Sequence, residues 1–398
     1  MCAPPGRAEA GAPTVAKVIA AALREPPALC AHVWKTLNAI LCCRTPALGS
    51  HCYRCADCGR DHVVPHSCRN RHCPRCQGAN AHEWLDRQEE DLLPVPYFHV
   101  VFTLPHTLNG LIAQNPRAMH SLLFEAASAT LMEFARNKLA VRPGITAVLH
   151  TWGQNLLDHH HLHCIVTGGG LSADGRHWRG LKTNYLFAVR ALSLVFRGKY
   201  RDGLQALYDQ GKLEFHGKMA VHGNRAAFTR LVREACRPKW NVYAKRPFGG
   251  PAQVLAYLSR YTHRIAIGDR RILKIDEGAR TVTFAYKDYA DHNQRKTMTL
   301  SLHEFLRRFC LHILPCRFVK IRHYGLLANR GRHQRVEQAR QLITPEDDPS
   351  QDDAIVAEPT EPTEPSAARP ACPHCGSLRL LLVAVILPPR SRPRCDSS

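Results

Sequence analysis

The chain has 398 residues, with 54 Lys+Arg against 33 Asp+Glu and a formal charge of +21. Its hydrophobic content of 45% is enough for two or three packed domains and excludes a disordered chain. Residues 346–369 hold eight acids and one Arg, so the remainder carries +28, an excess that points to a polyanion, nucleic acid first. The longest apolar run, Leu380–Leu387, falls well short of the ~20 residues that span a bilayer. The first residues have no apolar stretch of the signal-peptide kind. The expectation is a cytoplasmic, nucleoid-associated protein with no membrane partner.

In chain order, residues 14–43 carry two helical patterns split by Pro26-Pro27, with Val33, Leu37 and Ile40 at helical spacing. Six of the 17 cysteines then fall within Cys52–Cys76. A polar helical stretch near Ala79–Leu93 ends at Pro94 and Pro96. Tyr97–Leu104 alternates, with Phe98, Val100, Phe102 and Leu104 on one face of a strand. A helix is expected over Pro116–Leu139, and strands over Ile145–Trp152 and His161–Thr167, the second ended by Gly168-Gly169-Gly170. Leu186–Leu207 is a further helical region, and Pro251 opens a helix running to about Arg264. Arg271–Ile275 and Thr281–Lys287 pair across Asp276-Glu277-Gly278 as a hairpin. Residues 345–370 are acidic and proline-rich and read as a linker, followed by Cys372-Pro-His-Cys375, half of a zinc knuckle. This mixed order predicts an α+β class with a mainly antiparallel sheet flanked by helices.

The cysteines carry the first chemical signal. In a reducing compartment they are metal ligands or free thiols rather than disulfides. Cys55-x2-Cys58 and Cys73-x2-Cys76 lie 14 residues apart, a spacing that predicts one structural Zn2+ held by those four thiolates. Cys52, Cys68, His51 and His72 are spare ligands, of which Cys68 and His72 are the candidates for a second or exchanged site. Arg69 and Arg71 stand in the same loops and could contact phosphates.

The second signal is His159-His160-His161-Leu162-His163-Cys164. On a strand, Leu162, Cys164 and Val166 share an apolar face, while His161 and His163 share the other and can chelate a divalent cation. A third protein ligand is required. Gln253, His159, Asp158 and His99 are the candidates, with Gln253 and His159 first. Tyr257 and Tyr261 lie one helical turn apart with Gln253 on the same stripe, and Arg260 and Arg264 alongside. By spacing alone such tyrosines are ordinary amphipathic packing.

His-hydrophobe-His on a strand is the mark of the HUH endonucleases. Together with the TGGG segment that follows it, and with SCRNRHCPRCQG (Ser67–Gly78), LSLVFRGKY (Leu192–Tyr200), YLSRYTHR (Tyr257–Arg264) and IRHYGLLANR (Ile321–Arg330), it resembles the rolling-circle transposases of the insertion sequence ninety-one family. The resemblance covers about residues 40–335. It implies an HUH endonuclease-like catalytic domain over 96–340, after a helical lead and zinc-binding domain over 1–95, with the linker and short Cys-containing tail over 341–398. It further implies that Tyr257 and Tyr261 are nucleophiles of a two-tyrosine enzyme, which nicks and rejoins single-stranded DNA through a 5′-phosphotyrosine link. The catalytic cation would be Mg2+ or Mn2+, and the partner the single-stranded or hairpin ends of a mobile element. Arg260, Arg264, Arg322 and Arg330 join Arg69 and Arg71 as expected DNA contacts. No GxxxxGK[ST] phosphate loop occurs, which agrees with strand joining that needs no ATP. The competing reading is a zinc-dependent DNA-binding regulator without cleavage; a metal hydrolase acting through a zinc-bound water is weaker, since it leaves the tyrosines without a role.

Overall fold

A computed structural model describes residues 12–76, 88–181, 186–244, 254, 265–289, 291–343 and 371–389. The N-terminal part opens with the helix Val15–Ala22, capped by the Thr14 hydroxyl, which accepts from the Lys17 N–H at 3.2 Å. Val15, Val18, Ile19 and Ala22 form its buried stripe. The helix Ala31–Cys42 follows and buries Val33, Leu37 and Ile40, the residues whose spacing predicted it. Strands β1 (Ser50–Cys55) and β2 (Asp61–Pro65) then pair antiparallel.

The main sheet is built from β3 (Tyr97–Thr103), β4 (Val141–Trp152), β5 (Asp158–Ser172), β6 (Trp178–Gly180), β7 (Val242–Ala244) and, later in the chain, β11 (Ile321–Gly325). A separate three-stranded sheet comprises β8 (Ile272–Asp276), β9 (Thr281–Asp288) and β10 (Gln294–Ser301). The main order is β11-β4-β5-β3-β7, with β6 on the far end of β5, and its pairings are antiparallel. The long helix Pro116–Leu139 starts on proline at its first turn and stops at Ala140, whose left-handed φ of 51° ends the helical ladder. It packs on one sheet face with the helix Val189–Asp209, around Phe98, Phe102, Phe124 and Phe196, all essentially fully buried. Each such side chain contributes about 1.5–3 kcal/mol relative to an exposed one.

Three features depart from the sequence reading. First, β5 does not stop at the glycines but runs through them to Ser172. A Cβ on Gly168 would sit 2.9 Å from the Pro96 carbonyl oxygen, and one on Gly170 would collide with the Arg142 carbonyl. The glycines admit close neighbouring backbone rather than a turn. Second, β12 (Leu380–Ile386) adds to β1, so the order of the N-terminal sheet is β12-β1-β2 and the tail returns to the start of the chain. Third, the N-terminal helices share a core with β8–β10 and the helix Leu302–Leu311, through Val282, Phe284, Phe305 and Phe309. Residues across the expected boundary at 95 are therefore packed together. Among the described residues, no helix is long and apolar enough to cross a membrane.

Candidate metal centres on the sheet and in the cysteine module

On β5, the alternation places His161 and His163 on one face, while Leu162, Cys164 and Val166 enter the main core on the other. The neighbouring strand β4 sets His150 directly across from His161. The side-chain nitrogens of His150, His161 and His163 lie within 4.8 Å of one another. His150 was not among the expected ligands. Its signal was the strand expected over Ile145–Trp152, but a third ligand from β4 requires the β4–β5 register, which periodicity does not supply.

The surroundings orient two of the three rings. His161 Nδ1 donates to the His159 carbonyl at 2.7 Å, which leaves Nε2 as the ligand atom. His163 Nδ1 lies 2.8 Å from His99 Nε2, again leaving Nε2 available. His150 stacks on Trp152 with ring centres 4.8 Å apart. Lys320 stands 5.6 Å from the other partner of that contact, the Trp152 ring, and burial pushes its ammonium down to about 7. A set of three imidazoles, with two second nitrogens engaged, fits a divalent transition ion.

The other expected ligands stand apart from this group. His159 lies beside His161, with ring centres 4.7 Å apart, but is outside the convergent three. His99 acts on His163 rather than in its place. Asp158 lies on the opposite face of β5, and burial pushes its carboxyl up. Gln253, Tyr257, Tyr261, Arg260 and Arg264 lie outside the described residues. Val254 is described: it is helical and fully buried, in the cluster that also holds Ile165, two residues beyond His163 on the same face. A cleft of about 1400 Å3, lined by Arg117, His120, Asp158, His160 and Arg307, opens on the other side of β5. It contains none of the three convergent histidines, so the chemistry is assigned to the histidine face despite the cleft's size.

The cysteines group differently from expectation. Cys73 and Cys76 converge with Cys43 and Cys68, while Cys55 and Cys58 converge with Cys372 and Cys375. The expected single site of Cys55, Cys58, Cys73 and Cys76 is therefore replaced by two separate clusters. In the first, the Cys43 and Cys76 sulfurs are 3.5 Å apart and those of Cys68 and Cys76 3.6 Å. A tetrahedral ion with Zn–S bonds of ~2.3 Å sets sulfurs about 3.8 Å apart, so the spacing fits. The Cys68 and Asn70 N–H groups donate to the Cys43 and Cys68 sulfurs, as suits thiolate acceptors. Cys68 thus joins the cluster and His72 does not; burial holds the His72 imidazole at about 3, far below its ordinary value.

Of the expected DNA contacts, Arg71 is committed to structure. Its guanidinium donates to the Phe318 and Pro315 carbonyls, the second at 2.9 Å, and so ties the cysteine loops to the loop before β11. Arg322 donates to the Ser121 hydroxyl at 3.2 Å and lies over the Phe124 ring at 4.3 Å. Arg69 and Arg330 are exposed.

Comparison with known proteins now adds to the geometry. Residues 15–104 match the family described as "Transposase zinc-binding domain", and residues 144–335 the family described as "Putative transposase". The "Putative transposase y4qJ" of Sinorhizobium fredii is 45% identical over 78% of this chain and 78% of its own length. The chain belongs to the IS91 family of transposases. The "Transposase for insertion sequence element IS801" of Pseudomonas savastanoi pv. phaseolicola is 31% identical over 78% of this chain and 75% of its own length. Among solved structures, a conjugative relaxase TrwC in complex with OriT DNA aligns at 15% identity, over 42% of this chain and 71% of that one, with a TM-score of 0.23. A likeness of that size decides nothing about this chain. Cys43, Cys68, Cys73 and Cys76 fall within the residues matched to the zinc-binding domain, and His150, His161 and His163 within those matched to the transposase model.

Proposed function

We propose that this transposase nicks and rejoins single-stranded DNA through a 5′-phosphotyrosine link. The observation that carries the reading is the convergence of His150, His161 and His163 on one sheet face within the region matched to transposases. A divalent cation on these three imidazoles would draw charge from a non-bridging phosphate oxygen and hold the phosphorus for attack. Of the two expected ions, Mn2+ suits an all-nitrogen donor set better than Mg2+ does. The His159 carbonyl and His99 keep the His161 and His163 rings turned so that Nε2 is free.

Tyr257 or Tyr261 would supply the phenol oxygen that attacks phosphorus in line. The P–O3′ bond breaks as the P–O(Tyr) bond forms, and the departing oxygen takes a proton to become a free 3′-hydroxyl. Reversal by another 3′-hydroxyl restores the phosphodiester, with no external energy source. The burial of Val254, three residues before Tyr257, in the same cluster as Ile165 supports this role. Two tyrosines let one hold the first strand while the other cuts the second.

The test uses single-stranded oligonucleotides labelled at either end, with Mn2+ or Mg2+, resolved on denaturing gels. The expected result is an SDS-resistant adduct at the 5′ phosphate and a free 3′ end. Peptide mapping should find the DNA on Tyr257 or Tyr261. Tight DNA binding without any adduct would support the non-cleaving regulator in its place.

A further inference from the structure

We infer that Cys55, Cys58, Cys372 and Cys375 form a second zinc site, one that fastens the C-terminal tail to the zinc-binding module. Cys372 and Cys375 lie outside both regions matched to family models. The four sulfurs fall within 4.8 Å of one another. Cys55 and Cys375 are 3.6 Å apart, and so are Cys58 and Cys372. These separations are far longer than the ~2.05 Å of a disulfide and close to the ~3.8 Å edge of a zinc tetrathiolate.

The two halves are the same turn built twice. In each, the N–H of the first cysteine donates to the carbonyl five residues on: Cys55 to Arg60 at 3.0 Å, Cys372 to Ser377 at 2.8 Å. In each, the glycine after the second cysteine donates back to the first cysteine's carbonyl: Gly59 to Cys55 at 2.9 Å, Gly376 to Cys372 at 2.8 Å. Gly59 and Gly376 have φ of +70° and +76°, values that favour glycine. Such a turn presents two sulfurs from one side, and two facing turns complete a tetrahedron. An S4 donor set of this shape selects zinc among common cellular ions.

The surroundings bring the halves together independently of any ion. β12 pairs with β1 from Ser50↔Ile386 to Cys55↔Leu380, running directly into the knuckles. The Ala56 N–H donates to the Arg379 carbonyl at 2.8 Å, and Arg379 pairs with Asp57 at 2.9 Å. Arg60 lies 3.2 Å from His374 Nδ1. The sulfurs joined are up to 320 positions apart in sequence, so the ion would close a loop containing the whole catalytic region. Closing a loop that long removes much freedom from the unfolded chain. The two tetrathiolate sites would use the pairs Cys55/Cys58, Cys73/Cys76 and Cys372/Cys375, with Cys43 and Cys68 completing the count.

The experiment counts metal in full-length protein carrying His161→Ala and His163→Ala, so that only thiolate sites are read. Two zinc ions per chain are expected. Adding Cys372→Ser and Cys375→Ser should lower the count to one, the survivor at Cys43/Cys68/Cys73/Cys76 reporting that the module is still folded. A count of one before and after that change would overturn the inference. Should the variant lose both ions through misfolding, 113Cd NMR of the cadmium-loaded parent decides. Two tetrathiolate resonances are expected, and a single one would overturn the inference. Neither readout depends on DNA cleavage, so failure here is distinguishable from failure of the nicking mechanism.

Discussion

The histidine face and the cysteine module both gather metal-binding side chains, but they do so from opposite distances along the chain. His161 and His163 are two residues apart on one strand, and His150 joins them across a single register step. The cysteine clusters draw on residues 33 positions apart in one case and up to 320 in the other. A site inside a β-ladder inherits its geometry from pairing that the core already enforces. The Cys43/Cys68/Cys73/Cys76 site is made of separate loops with little sheet to impose its shape, so an ion there would contribute to holding them. The first should therefore be built for chemistry and dispensable for folding, and the second the reverse.

Substitution of the histidines tests this contrast most severely. His161→Ala with His163→Ala should abolish nicking, a loss of roughly 10³-fold if several kcal/mol of charge stabilisation disappear. Thermal stability and DNA affinity should change little, since the main core lies on the other face of β5. His150→Ala should match the pair in effect. A His150→Ala protein that nicks at the parental rate would remove it from the metal site. At the cysteine module the signature inverts. Cys73→Ser should release zinc and melt the N-terminal helices and β1–β2, because zinc binding contributes to folding directly. A zinc-free but normally melting protein would show that the packing of Val15, Ile19 and Leu37 on the β8–β10 unit suffices.

A smaller effect separates ligands from the residues that orient them. His99→Ala leaves three imidazoles in place but removes the partner of His163 Nδ1. Metal affinity should fall ~10–100-fold, and higher Mn2+ should restore nicking. Loss of activity that no metal concentration restores would instead make His99 a ligand or a catalytic group.

Acid should act on folding through three histidines with lowered pKa values, His120, His312 and His323. Burial first, helped by Arg322 and Arg332 respectively, holds His120 and His323 at about 4, and burial holds His312 at about 4. Their unfolded values lie near 6.5. The unfolded state therefore takes up protons first, and stability falls as pH drops from about 6.5 toward 4. Each group contributes up to about 1.4 kcal/mol per pH unit in that window. Melting temperatures measured between pH 7 and 4.5 should decline steadily. A flat profile would mean that these imidazoles are hydrated and charged in the folded protein.

What the sequence made legible follows the same division. Pro116–Leu139 and the His161/His163 face come from local periodicity and proline placement, and tertiary packing had nothing to overrule. The partner residues were hidden because they depend on pairing. His150 needed the β4–β5 register, and Cys43 lies outside any Cys-x2-Cys pair. The tail knuckle was visible as a half, but its other half was already assigned to the nearer pair, Cys73 and Cys76. Spacing identifies knuckles and says nothing about which knuckles meet. The glycines misled for a related reason. Three in a row ordinarily signal a turn, whereas Gly168 and Gly170 sit where neighbouring backbone leaves no room for a Cβ.

The smallest expected effects concern arginines, and they ask whether both regions touch DNA. Arg69 belongs to the cysteine module and Arg330 to the segment after β11, and both are exposed. Arg71 and Arg322 are engaged with carbonyls and rings inside the protein. Arg69→Ala and Arg330→Ala should each weaken single-stranded DNA binding alike for all sequences. Each should reduce the slope of log affinity against log salt by ~0.7, the value for one phosphate contact on a single strand. Arg71→Ala should instead lower thermal stability, through loss of its bonds to Pro315 and Phe318, and any change in binding should follow from that loss. If Arg330→Ala alone flattens the salt dependence, the cysteine module is a structural brace and DNA is held by the sheet region. If both do, the strand crosses from one region to the other, and the packing of the N-terminal helices on β8–β10 holds a single binding surface in register.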